Sequence, residues 1–155
     1  MSICGTVDPL AFDRPLGIVL MRIWLWISGV AGALGVAGGA LAAHPGEGIL
    51  TPPARGRLET ASGYALAHAP ALLGVAWLHA TRPGWPVFLA GGAFTAGLVL
   101  FCGVLAAAAL LGATGLMPIV PVGGGAFILG WLAIAAAGLG RTPTIGKGHG
   151  AHDGR

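Results

Sequence analysis

The sequence predicts an all-α protein, an antiparallel four-helix bundle that is integral to a membrane. Of its 155 residues, 55% are hydrophobic and only 8% are charged, and the mean hydropathy is +0.85. Soluble domains carry about a quarter charged residues, so this composition is typical of a bilayer protein. Four stretches reach the roughly 20 apolar residues that cross a hydrocarbon core. Short turns join the later stretches, which favours sequential packing into a bundle.

The predicted membrane domain occupies residues 18–139. Its four spans are approximately residues 21–43, 59–79, 86–112 and 118–139. Residues 1–17 are predicted to form a tail or interfacial segment, because proline and aspartate recur there. Residues 140–155 are predicted to form a flexible tail that contains glycine and histidine.

Span one opens with Trp24 and Trp26, which we expect to anchor it at the membrane interface. Small residues then recur along the span and let helix backbones approach closely in lipid. They predict a helix-packing face, which either contacts the protein's own helices or forms a homo-oligomer seam. The residues of this face are Ser28, Gly32, Gly35 and Gly39.

The connection over residues 44–59 is a loop that holds several prolines and glycines, which forbid a continuous helix. Its charged residues are interpreted either as solvated loop charges or as a mouth that recruits a substrate. They are Glu47, Arg55, Arg57 and Glu59.

Span two contains YALAHAPALLGVAWLHA, in which His68 lies two residues before Pro70. Proline has no N–H to donate to the Leu66 carbonyl, so a neutral histidine could repair the broken turn by bonding a freed carbonyl. Proton or ligand handling and metal binding remain alternatives, because ionisable residues inside a bilayer are often functional. His79 lies near the inner interface, where its ring could reach water.

Polar residues of the four spans fall at similar depths in the outer half of the bundle, as judged from a helical rise of about 1.5 Å per residue. They predict a ligand-binding pocket for a proton relay, soft copper or zinc, or a quinone head group. No metal-ligand spacing or paired carboxylate supports one of these, so we predict no catalytic residue, metal or cofactor. The candidate pocket residues are His44, Tyr64, His68, Cys102, Gly124 and Gly125.

Basic residues define the expected orientation. With four spans, the only basic residues on one side are Arg55 and Arg57, and the other six fall on the opposite side. The positive-inside rule then predicts both termini in the cytoplasm, with the protein in a bacterial inner membrane. Aromatic residues do not interleave with these charges, so a nucleic-acid partner is not expected.

Four segments, taken in order, resemble a known family. AGALGVAGGALAAH, YALAHAPALLGV, LFCGVL and PVGGGAFILGWLAIA begin at residues 31, 64, 100 and 121, and they are similar to the signatures of the domain of unknown function 423 family, whose animal members are called transmembrane protein 256. The resemblance covers about residues 18–139. It implies four membrane helices and no established activity. It adds Gly130 and Trp131, which we expect to take part in helix packing, to His44, His68, Gly124 and Gly125 as recurring positions. Pro70, Val104 and Ala106 depart from the family pattern.

The sequence therefore predicts a non-enzymatic accessory or structural subunit that packs against partner membrane proteins or copies of itself. A respiratory or other energy-transducing complex is one setting for it. The alternative is a binder of a small hydrophobic ligand, quinone or metal around His68. A small channel or transporter ranks third, because the spans lack a buried carboxylate.

Overall fold

A computed structural model describes residues 13–44, 46 and 50–139, so the tails predicted for residues 1–12 and 140–155 lie outside the described residues. Four helical segments are long and apolar enough to cross a membrane: Gly17–Ala43, Pro52–Thr81, Trp85–Leu110 and Thr114–Gly138. The described part contains helices and turns but no strand. The predicted all-α, four-span membrane architecture is confirmed.

Helix α1 runs from Asp13 to Ala43, so it begins inside the segment predicted to be a tail. Pro15 does not prevent this start, because the first N–H groups of a helix have no intrahelical partner to lose. Trp24 is buried, because its ring packs on Gly91 of the third span, whereas Trp26 is 76% exposed. The prediction that Trp24 anchors the interface is therefore wrong.

Helix α2 runs from Pro52 to Thr81 and begins seven residues before the predicted span. No continuous helix covers residues 44–59, as expected, because residues 44, 46, 50 and 51 lie outside a helix, but α2 already begins at Pro52. Thr51 caps the helix by accepting a hydrogen bond from the Ala54 N–H, and Pro52 and Pro53 occupy the first turn. Proline is favourable there because its fixed φ suits the helix and its missing N–H would be unpaired anyway. Pro70 lies within the helix, which continues past it.

The third span is not a uniform α-helix. Helix α3 (Trp85–Gly97) passes into a π-helical segment (Leu98–Gly103), and helix α4 (Val104–Leu110) completes the crossing. The chain then turns at Gly112, whose φ of +68° is in the left-handed region that favours glycine. A 3₁₀ segment (Thr114–Ile119) leads into helix α5 (Val120–Gly138).

Helix α2 is central in the bundle. Helix α1 packs mainly on α2, α5 packs mainly on α3 and the π segment, and α2 contacts every part of the third span. The core between them is formed by buried side chains such as Leu72, Val75, Phe94 and Phe127. Helices α1 and α5 therefore pack on different neighbours, α1 on α2 and α5 on the third span.

Candidate functional site

The ring of His68 lies in an aromatic cluster that joins α2 to the third span and α5. It stacks on Phe127 with ring centroids 3.8 Å apart and on Tyr64 at 5.9 Å. Phe94 lies 5.6 Å away and Trp131 lies 6.0 Å away. His68 itself is only 6% exposed. The space beside it that the sequence suggested for a ligand is thus occupied by aromatic side chains.

Both ring nitrogens of His68 have partners. Trp131 Nε1 lies 3.2 Å from His68 Nε2, and His68 Nδ1 lies 2.8 Å from the Tyr64 carbonyl oxygen. An indole N–H can only donate, so Nε2 accepts and the proton of the neutral ring is on Nδ1, from which it donates to that carbonyl. The carbonyl used is that of Tyr64, one turn back, and not that of Leu66. This arrangement orients the ring and joins α2 to α5.

The other predicted pocket residues are not all brought to this cluster. Gly124 lies near it, because a Cβ built on Gly124 would be 3.8 Å from the Phe101 ring, and Phe101 contacts Tyr64 with centroids 4.5 Å apart. A Cβ built on Gly125 would meet nothing within 4 Å. Cys102 lines a different space, between α1 and the third span. His44 is exposed at the end of α1, where its N–H donates to the Ala40 carbonyl.

The predicted packing face of α1 contacts the protein's own α2. Ser28 Oγ donates to the Ala69 carbonyl at 2.7 Å. Cβ atoms built on Gly32, Gly35 and Gly39 would lie 3.7, 2.9 and 3.8 Å from side chains of α2. Gly38, which the sequence reading missed, is closer still, at 2.6 Å from Ser62 Oγ. Of the two interpretations left open, the structure shows the contact within one chain.

Three aromatic rings rest on glycines of a neighbouring helix. A Cβ built on Gly130 would lie 2.6 Å from the Phe94 ring, and one on Gly97 would lie 2.5 Å from the Phe127 ring. Trp24 covers Gly91 in the same way at 2.7 Å. Gly91 and Gly97 were not singled out from the sequence. The sequence does show glycines and bulky aromatic residues in these spans. Which glycine faces which ring, however, depends on which helices are neighbours.

Two buried ring nitrogens, Trp24 Nε1 and His79 Nδ1, have no hydrogen-bond partner in the described part of the chain. We expected the His79 ring to reach water, but His79 is only 9% exposed and its Nδ1 is buried. Over the described ranges, no three His, Cys, Asp or Glu residues come together as a metal site would require. The described side chains therefore offer hydrogen bonding and apolar contact.

An apolar groove lies between α1 and the third span, with α2 as its floor, and its volume is about 540 Å³. The floor includes the buried α2 residues Ala61 and Ser62, and buried Cys102 lines the wall formed by the third span. Exposed residues, among them Val30 and Val99, form the rim. At the end nearer the start of α1, which we call the inner end, Trp24 bridges α1 to α3 through Gly91. At the end nearer the α1–α2 connection, which we call the outer end, the groove is bounded by a small cluster of Ala42, Ala54, Leu58 and Ala109. We call this space the α1 groove.

Comparison with known proteins gives the chain a family. Residues 38–124 match the family described as "Protein of unknown function (DUF423)". The chain is 34% identical to the UPF0382 membrane protein of Haemophilus influenzae, over 72% of this chain and 90% of that protein. It is 30% identical to a UPF0382 membrane protein of Staphylococcus epidermidis (77% and 97%) and 32% identical to UPF0382 membrane protein YwdK of Bacillus subtilis (77% and 98%).

No solved structure matches this chain. The family match begins near the end of α1, includes α2 and the third span, and ends in the first turns of α5, so it contains His68 and Phe94 but not Phe127 or Trp131. The similarity to the three relatives covers most of the length of each, and all three are named as membrane proteins. The chain belongs to the DUF423 family of membrane proteins.

Proposed function

We propose that this protein is a non-enzymatic accessory or structural subunit that packs against partner membrane proteins, such as those of a respiratory or other energy-transducing complex. The observation that carries the proposal is an outward face of α2 made of small residues. A face of this kind suits close contact with another transmembrane helix, because packing and not hydrophobicity drives helix association in lipid.

The small face of α2 consists of Gly63, Ala67, Pro70 and Gly74. All four residues are exposed, and Cβ atoms built on Gly63 and Gly74 would meet nothing within 4 Å. Their spacing of four, three and four residues places them along one side of the helix. The predicted packing face of α1, by contrast, is used against α2. A partner helix can approach the α2 backbone closely along the small face.

The hydrogen bonds and ring contacts of His68 support a structural role for the interior of the bundle. Both of its ring nitrogens are bonded to the protein's own groups, and its faces are covered by aromatic rings. Glu59, the one acidic residue in the four described spans, lies near the outer end and pairs with Arg55 at 3.0 Å. These features favour an interior built for packing.

A binder of a small hydrophobic ligand, quinone or metal around His68 is the second candidate, and a small channel or transporter is the third. Ligand binding at His68 would require displacement of Trp131 or Phe127 from the ring. A proton-coupled transporter normally uses a carboxylate inside the bilayer, and Glu59 is exposed and paired at the boundary. Ligand binding thus needs a rearrangement of the aromatic cluster, and proton-coupled transport needs a carboxylate inside the bilayer. Helix packing needs neither.

The proposed setting is a bacterial inner membrane with both termini in the cytoplasm. Four crossings of the bilayer would leave both ends of the chain on one face. Arg55 lies with Arg57 on the opposite face, near the start of α2. The larger number of basic residues on the terminal side supports the cytoplasmic orientation.

Site-specific photo-crosslinking in intact membranes tests the packing proposal. A photo-reactive residue at position 67 should give a discrete protein adduct. The same residue at position 132 of α5, also exposed to lipid, is the matched control and should give lipid adducts only. Ala67→Trp should abolish co-isolation of the adduct partner in mild detergent. Lipid adducts alone at both positions would refute the proposal.

A further inference from the structure

The Ser62 hydroxyl sets the α1 groove apart from an ordinary lipid-facing crevice. Thr60, Thr81 and Thr95 each donate to the carbonyl four residues back, as hydroxyls in membrane helices commonly do. Ser62 is 5% exposed and lines the groove, and it has no hydrogen-bond partner among the residues described. Its Oγ lies at the end of the groove next to Gly38 of α1, and it is not one of the fully buried unpaired atoms, so it keeps some accessible surface. A ligand in the groove that accepts a hydrogen bond would give this hydroxyl a partner.

The depth of Ser62 matches the level of a lipid ester. Glu59 is exposed and ion-paired, so it marks the interface. Ser62 lies three residues further along α2, which is about 5 Å deeper at the rise of a helix. The boundary between the head groups and the hydrocarbon core lies about 5–8 Å below the outer surface of a bilayer. The hydroxyl is therefore placed where the ester carbonyls of phospholipids lie.

The length of the groove matches one acyl chain. Its lining extends over residues 26–35 of α1 and residues 98–106 of the third span. These walls are about 12–14 Å long at the helical rise. One leaflet of a hydrocarbon core is about 15 Å thick. A chain that starts at the level of Ser62 would fill the groove.

The closed ends of the groove exclude a transmembrane helix as its occupant. Trp24 on Gly91 closes the inner end, and the cluster around Leu58 closes the outer end. A helix is about 10–12 Å wide and must continue for the full 30 Å of the core. A flexible chain can instead enter sideways between Val30 and Val99, which form the exposed rim.

We propose that the α1 groove binds one acyl chain of a phospholipid, taken from the leaflet on the side of the α1–α2 connection. The chain lies against Leu98, Cys102 and Ala65, and the ester carbonyl of the lipid accepts a hydrogen bond from Ser62 Oγ. This site is separate from the small face of α2, so it stands or falls independently of the proposed packing function.

Photo-labelling in vesicles tests the site. The full chain is reconstituted in phosphatidylethanolamine and phosphatidylglycerol with a trace of phosphatidylethanolamine that carries a diazirine midway along one ester-linked acyl chain. Adducts should concentrate on residues 26–35 and 98–106, at least fivefold above lipid-exposed residues of α5. Gly103→Phe and Val30→Trp obstruct the groove from opposite walls, and each should reduce these adducts at least fivefold. Gly92→Phe adds the same bulk at an open position outside the groove and should leave them unchanged.

The role of Ser62 is tested with an ether-linked version of the same probe, which lacks the carbonyl. The wild-type protein should prefer the ester probe about threefold, the effect of one modest hydrogen bond. Ser62→Ala should remove that preference without changing ether labelling, and Thr60→Val should keep it. Adducts spread evenly over lipid-exposed faces would overturn the proposal, as would crosslinks to a second protein chain at the groove. If Ser62→Ala and the wild type preferred the ester probe equally, the proposed hydrogen bond from Ser62 to the lipid ester would be refuted.

Discussion

Phe127, Phe94 and Trp24 each place an aromatic ring on a glycine of a neighbouring helix. Inside a bilayer the apolar side chains gain little from leaving lipid, so close packing between complementary shapes carries much of the stability. A glycine that faces a ring or a backbone cannot accept a Cβ without displacement of one helix. A glycine that faces open lipid can accept one easily.

Gly123 and Gly125 provide a matched comparison on α5. A Cβ built on Gly123 would lie 2.5 Å from the Phe101 backbone nitrogen, whereas one on Gly125 would meet nothing within 4 Å. Gly123→Ala should destabilise the protein by about 1–3 kcal/mol, because backbone gives way less readily than a side chain. Gly125→Ala should be neutral or stabilising, because alanine favours helix. Thermal unfolding in detergent measures both, and equal midpoints would contradict the packing described here.

His68 should exist as the neutral Nδ1–H tautomer in the folded protein, because Trp131 can only donate to its Nε2. Nitrogen NMR of the labelled ring in nanodiscs distinguishes the two tautomers directly. Trp131→Phe should remove the bond and cost about 0.5–1.5 kcal/mol. Trp85→Phe, at a residue 70% exposed, is the control and should cost less. An Nε2–H tautomer would contradict the assigned bond.

The helices show what the sequence could and could not predict. Composition and apolar length predicted four helices, and these depend on local properties of the chain. The early start of α2 was missed because Pro52 and Pro53 were read as helix breakers, although a proline in the first turn favours a helix. The contact of His68 with Phe127 and Trp131 could not be read, because it depends on the approach of α5 to α2. The π segment at Leu98–Gly103 likewise carries no signal recognised in the sequence.

Pro70 tests how far α2 depends on local helix propensity. Proline inside a helix costs about 3 kcal/mol relative to alanine, and the Pro70 side chain is exposed to lipid. Pro70→Leu restores an N–H donor for the Leu66 carbonyl, so we expect a higher thermal midpoint. The control is Ala67→Leu, which changes the same face without restoring a donor. A lower midpoint for Pro70→Leu would mean that the packing on α2 requires the proline.

Over the molecule as a whole, the bundle has a tightly packed side and an open side. The side between α2 and α5 is filled by the His68 cluster, and the side between α1 and the third span holds the α1 groove. The outward face of α2 is small and exposed. The predicted pocket residues are divided between these places, because Cys102 turns toward the groove while Tyr64 and His68 turn toward α5.

Four crossings of the bilayer would leave both ends of the chain on the more basic face. Cysteine accessibility in cells tests it, with single-cysteine variants in a Cys102→Ala background: native Cys4, Gly46→Cys, and Arg155→Cys. The Gly46→Cys and Arg155→Cys variants also carry Cys4→Ser, so that each protein has a single cysteine. A membrane-impermeant maleimide should label position 46 in intact cells, and should label positions 4 and 155 only after the membrane is permeabilised. Labelling of positions 4 and 155 from opposite faces would require an odd number of spans and would contradict the account.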